Sequence, residues 1–144
     1  MRYLLDEGLH ETAAAAYNGI GVVNGDTFSH ILDHVQAGTG DQAIPPLCRE
    51  LSANVLITVN VRDFGAKKAL YEALLASGIH VVVMRPGKVK FYPAQQAALF
   101  LVQYDRVRAL LADAGTPVLI RVTWTSSVIR DLDQLIAEIE GKLP

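Results

Sequence analysis

The run Ile79-His80-Val81-Val82-Val83-Met84 constrains this chain more than any other feature. It is almost continuously apolar and rich in β-branched residues, without the in–out alternation of a strand that has one wet face. Such a run is expected of a strand buried on both faces, which means a parallel sheet with helices on each side. Val55-Leu56-Ile57-Thr58-Val59 is the best companion strand. The rest of the chain alternates to match. Strands are predicted at Arg2–Asp6, Ile20–Val23 and Val118–Thr123. Helices are predicted at Leu9–Tyr17, stopped by Asn18-Gly19, and at Pro45–Ser52, Ala66–Ser77, Pro93–Ala114 and Ser127–Glu140. Proline is tolerated in a first helical turn, and Gly78 is placed to end the helix before it. Thr27–Gln36 fits either a helical spacing (Phe28, Ile31, Leu32, Val35) or a loop with a short strand. Alternating βα units of this size predict an α/β fold, a three-layer α/β/α sandwich with a mainly parallel central sheet.

A chain of 144 residues is the size of one domain, 1–144, and no internal repeat or linker divides it. Hydrophobic residues make up 51% and charged residues 19%, a little more apolar mass than a small monomer needs. The surplus falls on the Pro93–Ala114 helix, with Leu99, Phe100, Leu101, Val102, Val107, Leu110 and Leu111, and leads to the expectation of a homodimer. A net charge of −2 excludes a global basic field that would draw the chain onto nucleic acid. No stretch reaches the roughly 18 apolar residues of a membrane span, and no signal peptide is visible, so a cytoplasmic protein is expected. The single cysteine, Cys48, fits a reducing compartment and reads as a small packed hydrophobe.

The carboxylates fall in a pattern. Asp6 and Glu7 end the first strand. Asp41 opens the helical stretch after Ala37-Gly38-Thr39-Gly40. Asn60 and Asp63 follow Val55–Val59. In a parallel α/β sheet, ligands bind outside the carboxyl ends of the strands, and oxygen ligands converging there suit Mg²⁺ or Mn²⁺. Each residue also has a plainer reading. Asp6 could accept backbone N–H groups in a turn, Glu7 could be solvated, and Asp41 and Asp63 could be helix caps. His30 and His34 share a helical spacing but lack further zinc ligands nearby. Asp63-Phe64-Gly65 matches a kinase triplet without the rest of that signature.

These blocks resemble the PIN-like domains, and within them the VapC-type ribonuclease toxins of bacterial toxin–antitoxin pairs. The resemblance lies in Leu4-Leu5-Asp6-Glu7, in Gly40-Asp41 before Ile44-Pro45-Pro46-Leu47, and in Leu56-Ile57-Thr58-Val59-Asn60 before Arg62-Asp63-Phe64, and covers about residues 2 to 125. It implies a metal-dependent endoribonuclease with a small antitoxin partner, with Asp6, Asp41 and Asp63 catalytic and Asp6, Asp41, Asn60 and Asp63 holding Mg²⁺ or Mn²⁺. Asn60 departs from the family's aspartate. An amide oxygen ligates without charge, so a weakened PIN-like module acting through a partner protein is the alternative. Arg62, Arg85, Lys88 and Lys90, with Lys67 and Lys68 nearby, would grip the RNA backbone at the same rim. Tyr92 could stack on bases, while Phe91 reads as core. A third reading is a receiver-like signalling domain, which also places acidic residues after its first strand. Asn60 argues against it, because a receiver carries its phosphoacceptor aspartate at that strand end.

Overall fold

The computed structural model describes residues 1–59 and 65–141. The elements are β1 (Arg2–Leu5), α1 (Glu11–Gly21), β2 (Thr27–His30), α2 (Ile44–Leu51), β3 (Val55–Val59), α3 (Lys68–Ala76), β4 (His80–Met84), α4 (Pro93–Asp113), β5 (Leu119–Val122), β6 (Ser127–Arg130) and α5 (Leu132–Ile139). They form a six-stranded sheet in the order β2-β1-β3-β4-β5-β6. β2 through β5 in that order are parallel neighbours, and β6 closes the far edge as an antiparallel hairpin with β5. The α/β fold with a mostly parallel, helix-covered sheet is therefore as the sequence predicts.

The strand register sorts the side chains onto two faces. Tyr3, Leu5, Val55, Ile57, Val82, Met84, Ile120 and Val122 point to a face covered by α1 and α4. Leu4, Leu56, Val81, Val83 and Leu119 point to the opposite face, covered by α2, α3 and α5. Both cores consist of fully buried aliphatic and aromatic groups, which explains why β3 and β4 read as apolar throughout. Much of the apolar surface of α4 is spent within the chain. Leu99, Phe100, Val107 and Leu111 are buried, Leu101 and Leu110 pack against the core, and Val102 remains 65% exposed.

The placement of α4 is unusual. The steps β1 to β2 and β3 to β4 run toward opposite edges of the sheet, with their helices on opposite faces, as right-handed crossovers require. The step from β4 to β5 continues in the second direction, yet α4 lies on the face of α1. Its crossover is left-handed, against a rule that holds in about 98% of cases. Residues 85–92 carry the chain back across the rim to reach that face. The place beside α3 that a right-handed α4 would fill is taken by α5. The reward for α4 is an aromatic core: Phe100 lies 4.5 Å from Tyr17, 5.6 Å from Tyr104, 5.7 Å from Phe28 and 6.3 Å from Tyr3 between ring centroids.

Two expected elements change identity. Ile20–Val23, predicted as a strand, continues α1 and then tightens into a 3-10 turn at Val22–Asn24. Asn18 does not stop the helix, because its side-chain amide bonds the backbone N–H and C=O of Phe28. That contact holds β2 where Thr27–Gln36 had been ambiguous. Ser127–Arg130, predicted as the start of the last helix, is β6. The helix starts only after Asp131, whose carboxylate accepts from the Asp133 and Gln134 amides.

Gly21, in the last turn of α1, is required by contact. A Cβ there would stand 2.7 Å from the Phe28 ring and 3.3 Å from Asp26 Cβ. Gly21→Ala is expected to destabilise the protein by about 1–3 kcal/mol through overpacking, measured by urea unfolding. On an open helix end the same change would instead stabilise by up to roughly 1 kcal/mol, so the sign of the result tests the contact.

Candidate switch-point site

β1 connects to β2 on one side while β3 pairs on its other side, so a crevice opens at the carboxyl ends of β1 and β3. Asp6 follows β1 and extends its ladder, its N–H donating to the Ile57 carbonyl at 3.1 Å. Its side chain turns inward and is 9% exposed. Oδ1 accepts the Gly8 N–H at 2.9 Å, and Oδ2 accepts the hydroxyl of Thr58, itself buried in β3. Burial pushes the Asp6 carboxyl above the ordinary carboxylate range. The Thr58 and Gly8 hydrogen bonds and the charges of Lys67 and His30 work in the other direction.

A cavity of about 190 Å³ lies over Asp6, lined also by Glu7, Gly8, Asp41, Ile44 and Lys67. The structure thus brings together Asp6 and Asp41, as expected from sequence, but in different roles. Asp41 opens a 3-10 turn ahead of α2 without capping it, and its carboxylate meets Lys67 Nζ at 3.7 Å. Glu7 is exposed and accepts the Gly38 N–H at 3.3 Å. Asn60, Arg62 and Asp63 lie outside the described residues. Among the described residues, no group of three His, Cys, Asp or Glu side chains could hold a metal ion. Each Asp6 oxygen accepts one internal hydrogen bond and Asp41 faces Lys67, while the other two residues of the expected Mg²⁺ or Mn²⁺ shell, Asn60 and Asp63, lie outside the described residues.

The other candidates separate. Lys68 pairs with Asp133 at 2.7 Å, and Arg85 with Glu138 at 3.3 Å. Lys88 and Lys90 are exposed. Phe91 packs against the core, and Tyr92 is 61% exposed. His30 is buried, its Nε2 donating to the Leu9 carbonyl while Nδ1 accepts from the Leu32 N–H. His34 contacts Ser29 instead, so the two histidines do not form a pair. Cys48 is buried, which pushes its thiol up to about 11. Among the described residues, no helix is long and apolar enough to cross a membrane. Sequence reasoning missed Thr58, concealed in an apolar strand, and did not foresee the pairing of Lys67 with Asp41.

No family model matches the chain, and no curated protein matches it either. Among solved structures it is similar to a CheY-like protein, TadZ, from Pseudomonas aeruginosa PAO1. The identity is 17% over 100% of this chain and 97% of that one, with a TM-score of 0.45. That neighbour is described as CheY-like, not as a nuclease or a toxin, and the PIN-like, VapC-type resemblance is corrected accordingly. The expectation of a ribonuclease toxin falls with it, and the antitoxin partner had no other basis. The physical reason is that the resembling blocks were short and acidic and sat at strand ends. Any doubly wound sheet places such residues on its carboxyl rim. The strand order, which distinguishes one such fold from another, is not written in them.

Proposed function

We propose that this chain is a receiver-like regulatory module that works by binding, neither cutting RNA nor carrying a phosphoryl group. The observation that carries the reading is the internally bonded switch-point site: a single buried carboxylate, Asp6, each of whose oxygens already accepts a hydrogen bond, from Thr58 and from Gly8. The order of the five parallel strands is that of the flavodoxin-like sheets, which include CheY. Acidic residues follow β1 as they do in receivers. Asn60 follows β3 where acyl-phosphate chemistry needs a carboxylate nucleophile, and an amide does not serve. A flavin- or nucleotide-binding reading is less well supported. The loop after β1 is Asp6-Glu7-Gly8, which repels phosphate, and the cavity is smaller than the roughly 300 Å³ at which small-molecule sites begin.

The test is exposure to acetyl phosphate with Mg²⁺ or Mn²⁺, followed by intact mass and amide NMR. An unmodified mass is expected, with the amides of Asp6, Gly8, Thr58 and Lys67 unshifted by either cation. A carboxyl-linked phosphoryl adduct, or metal-dependent shifts centred on Asp6, would overturn the reading.

A further inference from the structure

The second cluster of charge lies away from Asp6, on the face of α2, α3 and α5. Ile120 and Val122 of β5 point to the α1–α4 core, so Arg121 between them points to the opposite face. Arg130 of β6 lies opposite Leu119 in the hairpin register and shares that face. Arg85 enters from the end of β4. All three guanidinium groups converge on one carboxylate, Glu138 in the last turn of α5. Arg121 and Arg85 reach Oε1 at 2.5 and 3.3 Å, and Arg130 reaches Oε2 at 3.1 Å.

One arginine would suffice to tie α5 to the sheet. Three leave the corner with two uncompensated positive charges among the described residues, where a single carboxylate, Glu138, faces three cations. The crowding is costly unless something answers it. The Nε atoms of Arg121 and Arg130 are buried without hydrogen-bond partners among the described residues. The side chains of Arg85, Arg121 and Arg130 are 31%, 20% and 27% exposed, so part of each guanidinium-bearing side chain faces solvent. Lys88 and Lys90, exposed on the loop that begins at Arg85, extend the positive field and have no ion pair among the described residues. Asp133, the acid at the other end of α5, is occupied by Lys68.

We infer that Arg85, Arg121 and Arg130 form a subsite for a dianionic phosphate group, with Glu138 holding the three guanidinium groups in place in its absence. The charge excess matches a phosphate dianion, and planar guanidinium forks suit its oxygens better than lysine does. The phosphate is either free in solution or borne on a phosphorylated side chain of a partner. The inference does not depend on the reading of the Asp6 site.

The test is calorimetric titration of the full chain with inorganic phosphate, and separately with a phosphoserine peptide and its unphosphorylated form. Binding of phosphate is expected, weakened about tenfold or more in Arg85→Gln and in Arg130→Gln. Glu138→Gln is expected to tighten it about tenfold, because a competing charge is removed while the packing is kept. That gain cannot come from a protein that merely fails to fold. Tighter binding of the phosphopeptide than of free phosphate identifies a phosphorylated partner, and equal binding identifies the free ion. No phosphate binding at millimolar concentration, or unchanged affinity in Glu138→Gln, would overturn the inference.

Discussion

Phe100→Ala is expected to remove about 3–5 kcal/mol of stability, the range for truncating a buried aromatic residue. Phe100 is fully buried and lies within ring-contact range of Tyr3, Tyr17, Phe28 and Tyr104. These rings come from β1, α1, β2 and α4. The cavity left by alanine would open at the junction of four elements, where none can close it alone. In a domain of this size the loss corresponds to a fall in Tm of on the order of 10 °C. Val102→Ala, two residues along the same helix but exposed, should stay within about 0.5 kcal/mol of the parent. Urea unfolding of both variants checks the contrast. The result bears on topology as well as packing. Had α4 followed the right-handed rule it would lie on the other face, and Phe100 could not touch Tyr3 or Tyr17. A loss below about 1 kcal/mol would remove the support for the left-handed crossover.

What the sequence revealed, and what it concealed, follows from the range of the interactions involved. β1, β3, β4 and β5 were legible because strands buried on both faces are apolar at most positions, with exceptions such as Arg121 in β5. β2 and β6 were not, because Thr27-Phe28-Ser29-His30 and Ser127-Val128-Ile129-Arg130 are edge strands with polar residues in at least half their positions. Their strand character comes from pairing with β1 and β5, which no local pattern encodes. The face chosen by α4 was hidden for a similar reason, since amphipathicity tells a helix to bury one side but not against which side of a sheet. At the site, the meeting of Asp6 and Asp41 at one rim was legible from strand ends alone. The partners that define them were not. Thr58 reads as one more β-branched strand residue, and Lys67 as one of several cations near a strand end. Asp26, in Asn24-Gly25-Asp26, carries only the local pattern of a turn. It is in fact buried, held by the terminal amine at 2.8 Å, by Arg108 at 3.1 Å and by the Tyr104 hydroxyl.

Asp6 offers the sharpest separation between a closed structural site and a ligand site. If its role is to accept the Thr58 hydroxyl and the Gly8 amide, Asp6→Asn should be tolerated. The amide oxygen can still accept from Gly8, and the amide nitrogen can donate to Thr58 Oγ1. Asp6→Ala should be destabilised by about 1–3 kcal/mol, because it leaves a buried hydroxyl and a backbone N–H without their acceptor. The dependence on pH gives a second, independent reading. Burial raises the folded-state pKa of Asp6 above its unfolded value near 4. The folded chain therefore holds this proton more tightly than the unfolded chain does. Below the unfolded pKa both states are protonated, and the contribution of Asp6 to stability is fully present. As the pH rises from there through the folded-state pKa, the unfolded chain releases its proton first and the contribution is lost. Above the folded-state pKa the loss is complete and constant. Asparagine has no proton to lose, so the stability of Asp6→Asn relative to the parent should climb across this window and then level off. Denaturant unfolding at intervals between mild acid and neutral pH measures it. An Asp6→Asn variant that is as damaged as Asp6→Ala, or one whose stability relative to the parent falls as the pH rises, would show that the carboxylate is needed as a charge, and the closed-site reading would fail.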